Sequence, residues 1–179
     1  MKFLVVCLIA VVIAVVFAAI FVYSGVFDVA ADVPHSELTA RLIEAVRDRS
    51  IAVRIKDIQV PALDDPHLIA EGAEHYAAMC AECHLAPGVD KTDLREGLYP
   101  TPPNLTKHIA ANATEMFWVV KHGIKMSAMP AWGLTHDDNT IWTIVAFLRK
   151  LPALKPDEYA QMTANAAAEH EEREHQHDE

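Results

Sequence analysis

Apolar and polar positions follow distinct patterns along the chain, and the first pattern is a continuous apolar run. Positions 3–22 hold twenty consecutive apolar residues. As a helix such a run is about 30 Å long, which matches the hydrocarbon core of a bilayer. It exceeds the roughly 7 to 15 residues of a secretion-signal core. The run therefore predicts a retained transmembrane helix, with a signal cleaved at the small residues 29–31 as the alternative.

Positions 34–60 show a second pattern, in which apolar residues recur at helical spacing. Ser36 is a candidate N-cap. The residues that would share one face are Leu38, Leu42, Ile43 and Val46. Basic residues of this segment are nearly balanced by acidic ones. The pattern favours a solvated spacer helix, and a role at a membrane surface or against a partner protein is the alternative.

Start and stop signals predict two further helices downstream. Asp65 followed by Pro66 predicts an N-cap and first helical residue for a helix that runs into Cys80. Asn112 and Glu115 have the spacing of a capping box, and the helix that they predict stops at the next glycine.

The last helix of this region is predicted to begin at Thr135 and to end at residues 149–150. Its apolar face consists of Ile141, Ile144, Val145 and Leu148. Gly72 allows a close approach between this face and the first helix, and a contact between Tyr76 and Phe147 is expected at the crossing. No alternation of apolar and polar residues indicates a strand, so the sequence predicts an all-α fold.

The segment 80–84 carries the candidate chemistry. Cys80 and Cys83 are three residues apart, and His84 follows directly. This spacing is typical of c-type haem attachment, in which both thiols form thioethers with the vinyl groups and the histidine ligates the iron. One such motif predicts one covalently bound haem c.

Two other uses of paired cysteines are less compatible with the sequence. A thioredoxin-like redox pair lies in a βαβ unit, and no strand signals surround Cys80. A structural zinc site needs a second pair of ligands, and the third cysteine, Cys7, lies in the apolar run.

The second axial ligand is predicted in the loop between Gly123 and Gly133. Met129 is the favoured ligand because Pro130 stiffens the backbone directly after it, and Met126 is the alternative. Two nearby histidines that could replace sulfur, and that the sequence favours as surface residues, are His122 and His136.

Together these features resemble a class I cytochrome c over residues 64–155. The residues that carry the resemblance are Gly72, Tyr76, the CAECH segment, Pro-Pro-Asn-Leu at 102–105, Met-Pro-Ala-Trp-Gly at 129–133 and the apolar helix at 141–148. The resemblance implies that Cys80 and Cys83 hold the haem and that His84 and Met129 are its axial ligands. It also implies that Pro103 offers its carbonyl to the other ring nitrogen of His84.

Four segments follow from these patterns. Residues 1–33 are predicted to be the membrane anchor and a short link, and residues 34–60 an amphipathic linker helix. Residues 61–155 are predicted to be the cytochrome c domain, in the class I fold around one haem. Residues 156–179 are predicted to be an acidic tail that contains histidines.

Charge is distributed unevenly. The net charge is −10, and half of it lies in the last 19 residues, which are expected to fray or to be disordered. Weak metal binding by His170, His175 and His177 is an alternative for this tail. The acidic balance argues against nucleic acid as a partner. Lys121 and Lys125 could form a local basic rim beside the ligand loop.

The function predicted from these residues is single-electron transfer between redox proteins rather than enzymatic catalysis. Two axial ligands leave no open position for a small-molecule substrate. Lys2, before the apolar run, favours a single pass through the cytoplasmic (inner) membrane with the haem domain on the periplasmic side. The alternatives are a subunit of a membrane dehydrogenase or oxidase complex and, if Met129 dissociates, a haem enzyme or gas sensor.

Overall fold

A computed structural model describes residues 1–107, 109 and 111–164, and these form two compact units. The first unit is Met1–Pro34, and the second begins at His35. Within the described residues the secondary structure is entirely helical, which confirms the predicted all-α class.

The first unit is dominated by helix α1, Lys2–Tyr23. Every residue of this helix is exposed in the chain, and its mean hydropathy over an 18-residue window is 3.4. In the described part of the chain it is the one helix that is long and apolar enough to cross a membrane.

The second unit begins with α2, Glu37–Arg54. The predicted N-cap is confirmed, because the Ser36 side chain accepts a hydrogen bond from the backbone N–H of Thr39. The predicted apolar face, however, does not pack against the protein. Ile51 is the buried residue of α2. Ile58, four residues after the end of the helix, packs against the core. The spacer helix is therefore attached to the domain by its C-terminal half.

Five helices then surround the candidate site. They are α3 (Pro66–Met79), α4 (Ala81–His84), α5 (Asp93–Glu96), α6 (Ala113–His122) and α7 (Asp138–Leu148). Short 3₁₀ turns at Trp132–Leu134 and Leu151–Ala153 flank α7. The core lies mainly between α3 and α7, which form the most extensive helix pair of the molecule.

The crossing of α3 and α7 depends on a missing side chain. A Cβ atom at Gly72 would lie 2.0 Å from the carbonyl oxygen of Thr143, so only glycine permits this approach. One turn further along, the rings of Tyr76 and Phe147 are 5.3 Å apart, and both residues are fully buried. Both sequence-based expectations for this crossing are confirmed.

Together with Ser36 of α2, helix starts agree with the sequence in three of four cases. Asp65 caps α3 through the N–H of His67, and Asn112 caps α6 through the N–H of Glu115. The predicted start of α7 at Thr135 is wrong. Asp137 is the N-cap, and it accepts a hydrogen bond from the N–H of Thr140. Thr135 is instead the residue that ends the 3₁₀ turn Trp132–Leu134. It therefore cannot also begin α7.

Packing continues beyond residue 155. Residues 156–164 are helical (α8), and Tyr159 and Met162 pack against the core. The rings of Tyr159 and Phe147 lie 6.2 Å apart. The start of the segment predicted as a solvated tail is thus part of the domain, whereas His170, His175 and His177 lie outside the described residues.

Candidate haem site

The two cysteines and His84 lie on a tight turn at the C-terminal end of α3. Cys80 ends α3 and begins α4, and its carbonyl accepts hydrogen bonds from the N–H groups of Cys83, at 3.1 Å, and His84, at 2.8 Å. Leu85 has a φ of 68° and ends α4. Its carbonyl accepts a hydrogen bond of 2.6 Å from the buried hydroxyl of Tyr76. This bond fixes the exit of the turn relative to α3.

Neither thiol of this turn is engaged in a disulfide, since Cys80 and Cys83 are both free. Cys80 is buried and Cys83 is half-buried. Burial, together with the neighbouring Cys83, raises the pKa of Cys80 to about 12. A thioredoxin-like pair lies in a βαβ unit, and the described residues contain no strand, which disfavours that alternative.

His84 is held in a defined orientation. Its ring Nδ1 lies 2.9 Å from the carbonyl oxygen of Pro103, and its own carbonyl accepts a hydrogen bond from the N–H of Leu105 at 3.2 Å. With the proton on Nδ1, the ring donates to Pro103 and leaves the lone pair of Nε2 for a metal. Burial lowers the pKa of His84, and Arg95 lowers it further, against the effect of the Pro103 bond. The neutral imidazole that a metal requires is therefore favoured.

Arg95 is a residue of this region that the sequence analysis did not identify. Its guanidinium donates a 3.0 Å hydrogen bond to the carbonyl of Pro102, and its Nε is buried without a hydrogen-bond partner. Another guanidinium nitrogen of Arg95 lies 3.5 Å from the Glu96 carboxylate. A buried Nε without an acceptor is costly, and a carboxylate of a haem would be a suitable acceptor. The signal in the sequence was a single arginine beside the proline-rich segment that leads to Pro103.

The predicted ligand loop places its two methionines in different environments. Gly123 begins the loop with a φ of 65°. The N–H of Ile124 bonds to the Met129 carbonyl at 3.2 Å, and the N–H of Met129 bonds to the Ser127 hydroxyl at 3.2 Å. Met129 packs against the core, whereas Met126 is 98% exposed. The loop therefore directs Met129, and not Met126, toward the interior.

The nearby histidines differ as well. His122 is exposed and packs on the ring of Trp118, with centroids 5.0 Å apart. His136 is half-buried, with its ring 5.5 Å from that of Trp132. Each ring is thus packed against a tryptophan, although His136 is less exposed than expected for a surface histidine.

The basic rim suggested by Lys121 and Lys125 is only partly available. The Lys121 ammonium lies 2.6 Å from a carboxylate oxygen of Asp138 and 5.5 Å from the centre of the Phe117 ring. Because Lys121 is neutralised by Asp138, Lys125 is left to supply positive charge beside the loop.

A comparison with known families supports the haem interpretation of this geometry. Residues 67–148 match a family model described as cytochrome c oxidase, cbb3-type, subunit III. The matched range contains the CAECH turn, Pro103 and Met129 and lies within the residues that resemble class I cytochromes c, which confirms that resemblance. No curated protein matches the chain significantly.

Proposed function

We propose that this chain, which carries a class I cytochrome c domain with covalent haem c, is a membrane-tethered carrier of single electrons. In this proposal Cys80 and Cys83 hold one haem, and His84 and Met129 are its axial ligands. Helix α1 is the tether. The redox partners are other proteins of the same membrane.

The observation that carries the proposal is the orientation of His84 by Pro103. The 2.9 Å contact at Nδ1 holds the ring so that Nε2 faces away from the backbone and can bind iron. Haem iron supplies the redox chemistry by alternating between the ferric and ferrous states. The chain keeps the imidazole neutral, anchors the thiol-bearing turn through Tyr76 and supplies the half-buried Arg95, whose buried Nε can donate to a carboxylate.

Met129 is the second ligand in this proposal because of its position in the loop. Its carbonyl accepts a hydrogen bond from the N–H of Ile124, and its N–H donates to the hydroxyl of Ser127. Its side chain packs inward. Two axial ligands close the coordination sphere, which favours electron transfer over catalysis on a small molecule. A thioether ligand also raises the reduction potential.

The location proposed is the cytoplasmic (inner) membrane, with the haem domain on the periplasmic side. This orientation is supported by Lys2 at the N-terminal end of α1 and by the acidic residues Asp28 and Asp32 after it.

An absorption spectrum of the purified protein, with two matched variants, tests the ligand assignment. The oxidised wild-type protein is expected to show the weak far-red sulfur-to-iron charge-transfer band, and the reduced protein is expected not to bind carbon monoxide. Met129→Ala should lose the band, bind carbon monoxide and have a lower potential, while the haem remains attached. Met126→Ala, the control, should behave as wild type.

Other results would change the assignment. A band that survives Met129→Ala and disappears in Met126→Ala would transfer the role to Met126. A wild-type protein that lacks the band and binds carbon monoxide would make a haem enzyme or gas sensor the better proposal.

A second candidate is a cytochrome c subunit of a larger membrane complex. The observation that favours it is the family match, whose description names a subunit of a cbb3-type cytochrome c oxidase. Purification in a mild detergent distinguishes the two. A subunit is expected to elute with a larger catalytic chain at fixed stoichiometry, whereas a free carrier elutes alone.

A further inference from the structure

Helix α2 presents an apolar stripe to the outside of the domain. The stripe consists of Leu38, Leu42, Ala45, Val46 and Val53, with Arg49 among them. Its large members are strongly exposed, from 42% for Val53 to 79% for Leu38. A surface helix normally turns such a stripe toward the core, so this arrangement is the reverse of the usual one.

The side of α2 that faces the protein is the opposite one. Ile51 is the buried residue of the helix and lies at 4% exposure. Leu42 precedes Ile51 by nine residues, which at about 100° per residue places the two on opposite sides. Because Ile51 is fixed against the domain, α2 cannot rotate to bury the stripe without giving up this contact.

The position of α2 in the chain indicates what covers the stripe. Eleven residues separate Tyr23, the end of α1, from His35, and their fully extended length is at most about 40 Å. His35 is held in the domain by its backbone N–H, which donates to the Tyr99 hydroxyl at 2.9 Å, and by ring contact with Tyr99 at 5.4 Å. A chain whose α1 is in a bilayer therefore keeps α2 within reach of the same bilayer surface.

We infer that α2 lies in the lipid–water interface, with its apolar stripe against the lipid and Ile51 against the haem domain. This inference rests on the membrane anchoring proposed above. Arginine and short apolar residues along one stripe suit such an interface, because the Arg49 side chain can extend to the phosphate groups while its stem stays in apolar surroundings.

Arg49 also disfavours two other ways of covering the apolar stripe. A protein groove would need a carboxylate opposite Arg49, in the middle of the apolar contact. A second copy packed in parallel through this stripe would bring two copies of Arg49 together, and an antiparallel copy would place each Arg49 against apolar side chains of the other. The lipid interface needs neither arrangement, and anionic lipids would add attraction for Arg49.

The consequence of this placement is that the haem domain is docked on the membrane in one orientation. The N-terminal anchor alone would leave the domain free to turn. With α2 at the interface, the surface that carries α2 always faces the lipid. The redox partner would then approach from the remaining surface.

Spin labelling of the full-length, haem-loaded chain in phosphatidylcholine–phosphatidylglycerol vesicles tests the inference. A Cys7→Ser background leaves a single introduced thiol, because the two other cysteines are held by haem. One label replaces Val46, in the stripe. A control label replaces Glu44, which is exposed and lies about 160° around the helix from Val46. Collision with oxygen and with a water-soluble nickel chelate is measured at each position.

The label at Val46 is expected to collide mainly with oxygen, and the label at Glu44 mainly with the nickel chelate. Leu42→Gln combined with Val53→Gln should move the Val46 label into water, whereas Glu44→Gln in the same labelled protein should not. An unchanged haem spectrum checks that each variant is folded.

Three results would overturn the inference. Equal nickel access at Val46 and Glu44 would leave the stripe in water. A Val46 label shielded from both reagents would indicate protein contact, with spin–spin broadening identifying a second copy. A chain that does not float with the vesicles would overturn the anchoring as well, which separates the failure of α1 from the failure of α2.

Discussion

Tyr76 illustrates how one side chain supports the CAECH turn from a distance. Its ring packs on Phe147, and its hydroxyl donates to the Leu85 carbonyl at 2.6 Å, where the chain leaves the CAECH turn. Burial, with smaller contributions from Cys80 and Tyr159, raises the pKa of Tyr76. The phenol therefore remains protonated and donates this bond at neutral pH.

Tyr76→Phe is expected to destabilise the protein by about 1 to 3 kcal/mol, because the buried Leu85 carbonyl loses its side-chain donor. The midpoint of denaturant unfolding at unchanged slope measures this loss. Tyr159→Phe is the matched control, since no hydrogen bond of the Tyr159 hydroxyl is found among the described residues. Equal effects of the two substitutions would contradict the role given to the Tyr76 hydroxyl.

Among the individual residues, the sequence predicted those whose role depends on local spacing. Cys80, Cys83 and His84 are recognisable because they are adjacent in the chain. Arg95 was missed because its significance lies in the burial of an unpartnered Nε, which depends on residues brought together by folding. The preference for Met129 followed from Pro130, and the exposure of Met126 added an independent reason.

Between elements, α3 and α7 approach each other closely at Gly72. It brings the Thr143 carbonyl to 2.0 Å from the position that a Cβ at residue 72 would occupy. Real atoms cannot approach so closely, and a backbone carbonyl inside a helix cannot move aside. Any side chain at this position must separate the two helices.

Gly72→Ala is accordingly expected to cost about 3 kcal/mol or more, or to prevent accumulation of folded protein. The informative measurement is the yield of haem-loaded protein together with its thermal midpoint. Gly97→Ala is the control, because a Cβ at Gly97 meets its nearest atoms at an ordinary distance of 3.7 Å. A Gly72→Ala protein as stable as the control would refute the packing of this crossing.

The start of α7 offers a prediction about pH. Hydrogen bonds from the backbone and side chain of Thr140 lower the pKa of the exposed Asp137 carboxyl. A lowered pKa in the folded state means that the stabilisation is complete above the unfolded-state value, near pH 4, and is lost as the pH falls through the folded-state pKa.

Asp137→Asn should keep an acceptor for the Thr140 N–H but remove this charge-dependent contribution. Relative to the variant, wild type should therefore lose stability as the pH falls below about 4. Unfolding midpoints of both proteins across this range test the expectation. A constant difference between them would show that the carboxylate charge contributes nothing to the cap.

At the scale of the helices, short-range signals predicted three starts correctly, including Ser36, which bonds to Thr39, and one incorrectly. Asp65 and Asn112 bond to groups two or three residues away, so their effect is contained in the local sequence. Thr135 failed because the preceding 3₁₀ turn extends to it, and Asp137 is a better-placed cap a few residues later. The two candidate caps lie so close together that local spacing alone did not separate them.

For the whole molecule, the division at residue 34 predicts that the haem unit folds without the anchor. A chain in which a cleavable secretion signal replaces residues 1–34 is expected to keep the haem spectrum of the full chain. It should also leave the membrane in an alkaline carbonate wash without detergent, because α2 lies in the interface and binds lipid reversibly. The full chain should require detergent.

Membrane fractionation followed by haem spectra of each fraction makes the measurement. A shortened chain that needs detergent would show that α1 is not the principal anchor. The mass of the mature full-length protein is the companion measurement, since loss of residues 1–31 would show that the apolar run is a cleaved signal.

The sequence by itself determined the features that arise from neighbouring residues: the apolar helix α1, the cysteine and histidine spacing of the CAECH pentapeptide, the all-α class and three helix caps. Each depends on interactions that span a few residues, so the pattern contains the information. The tertiary structure alone decided that α2 turns its apolar stripe outward, that the Nε of Arg95 is buried and that packing continues to Met162. The physical reason is that a periodic pattern specifies which residues share a face, whereas the direction of that face depends on contacts such as that of Ile51, which form only when distant segments meet.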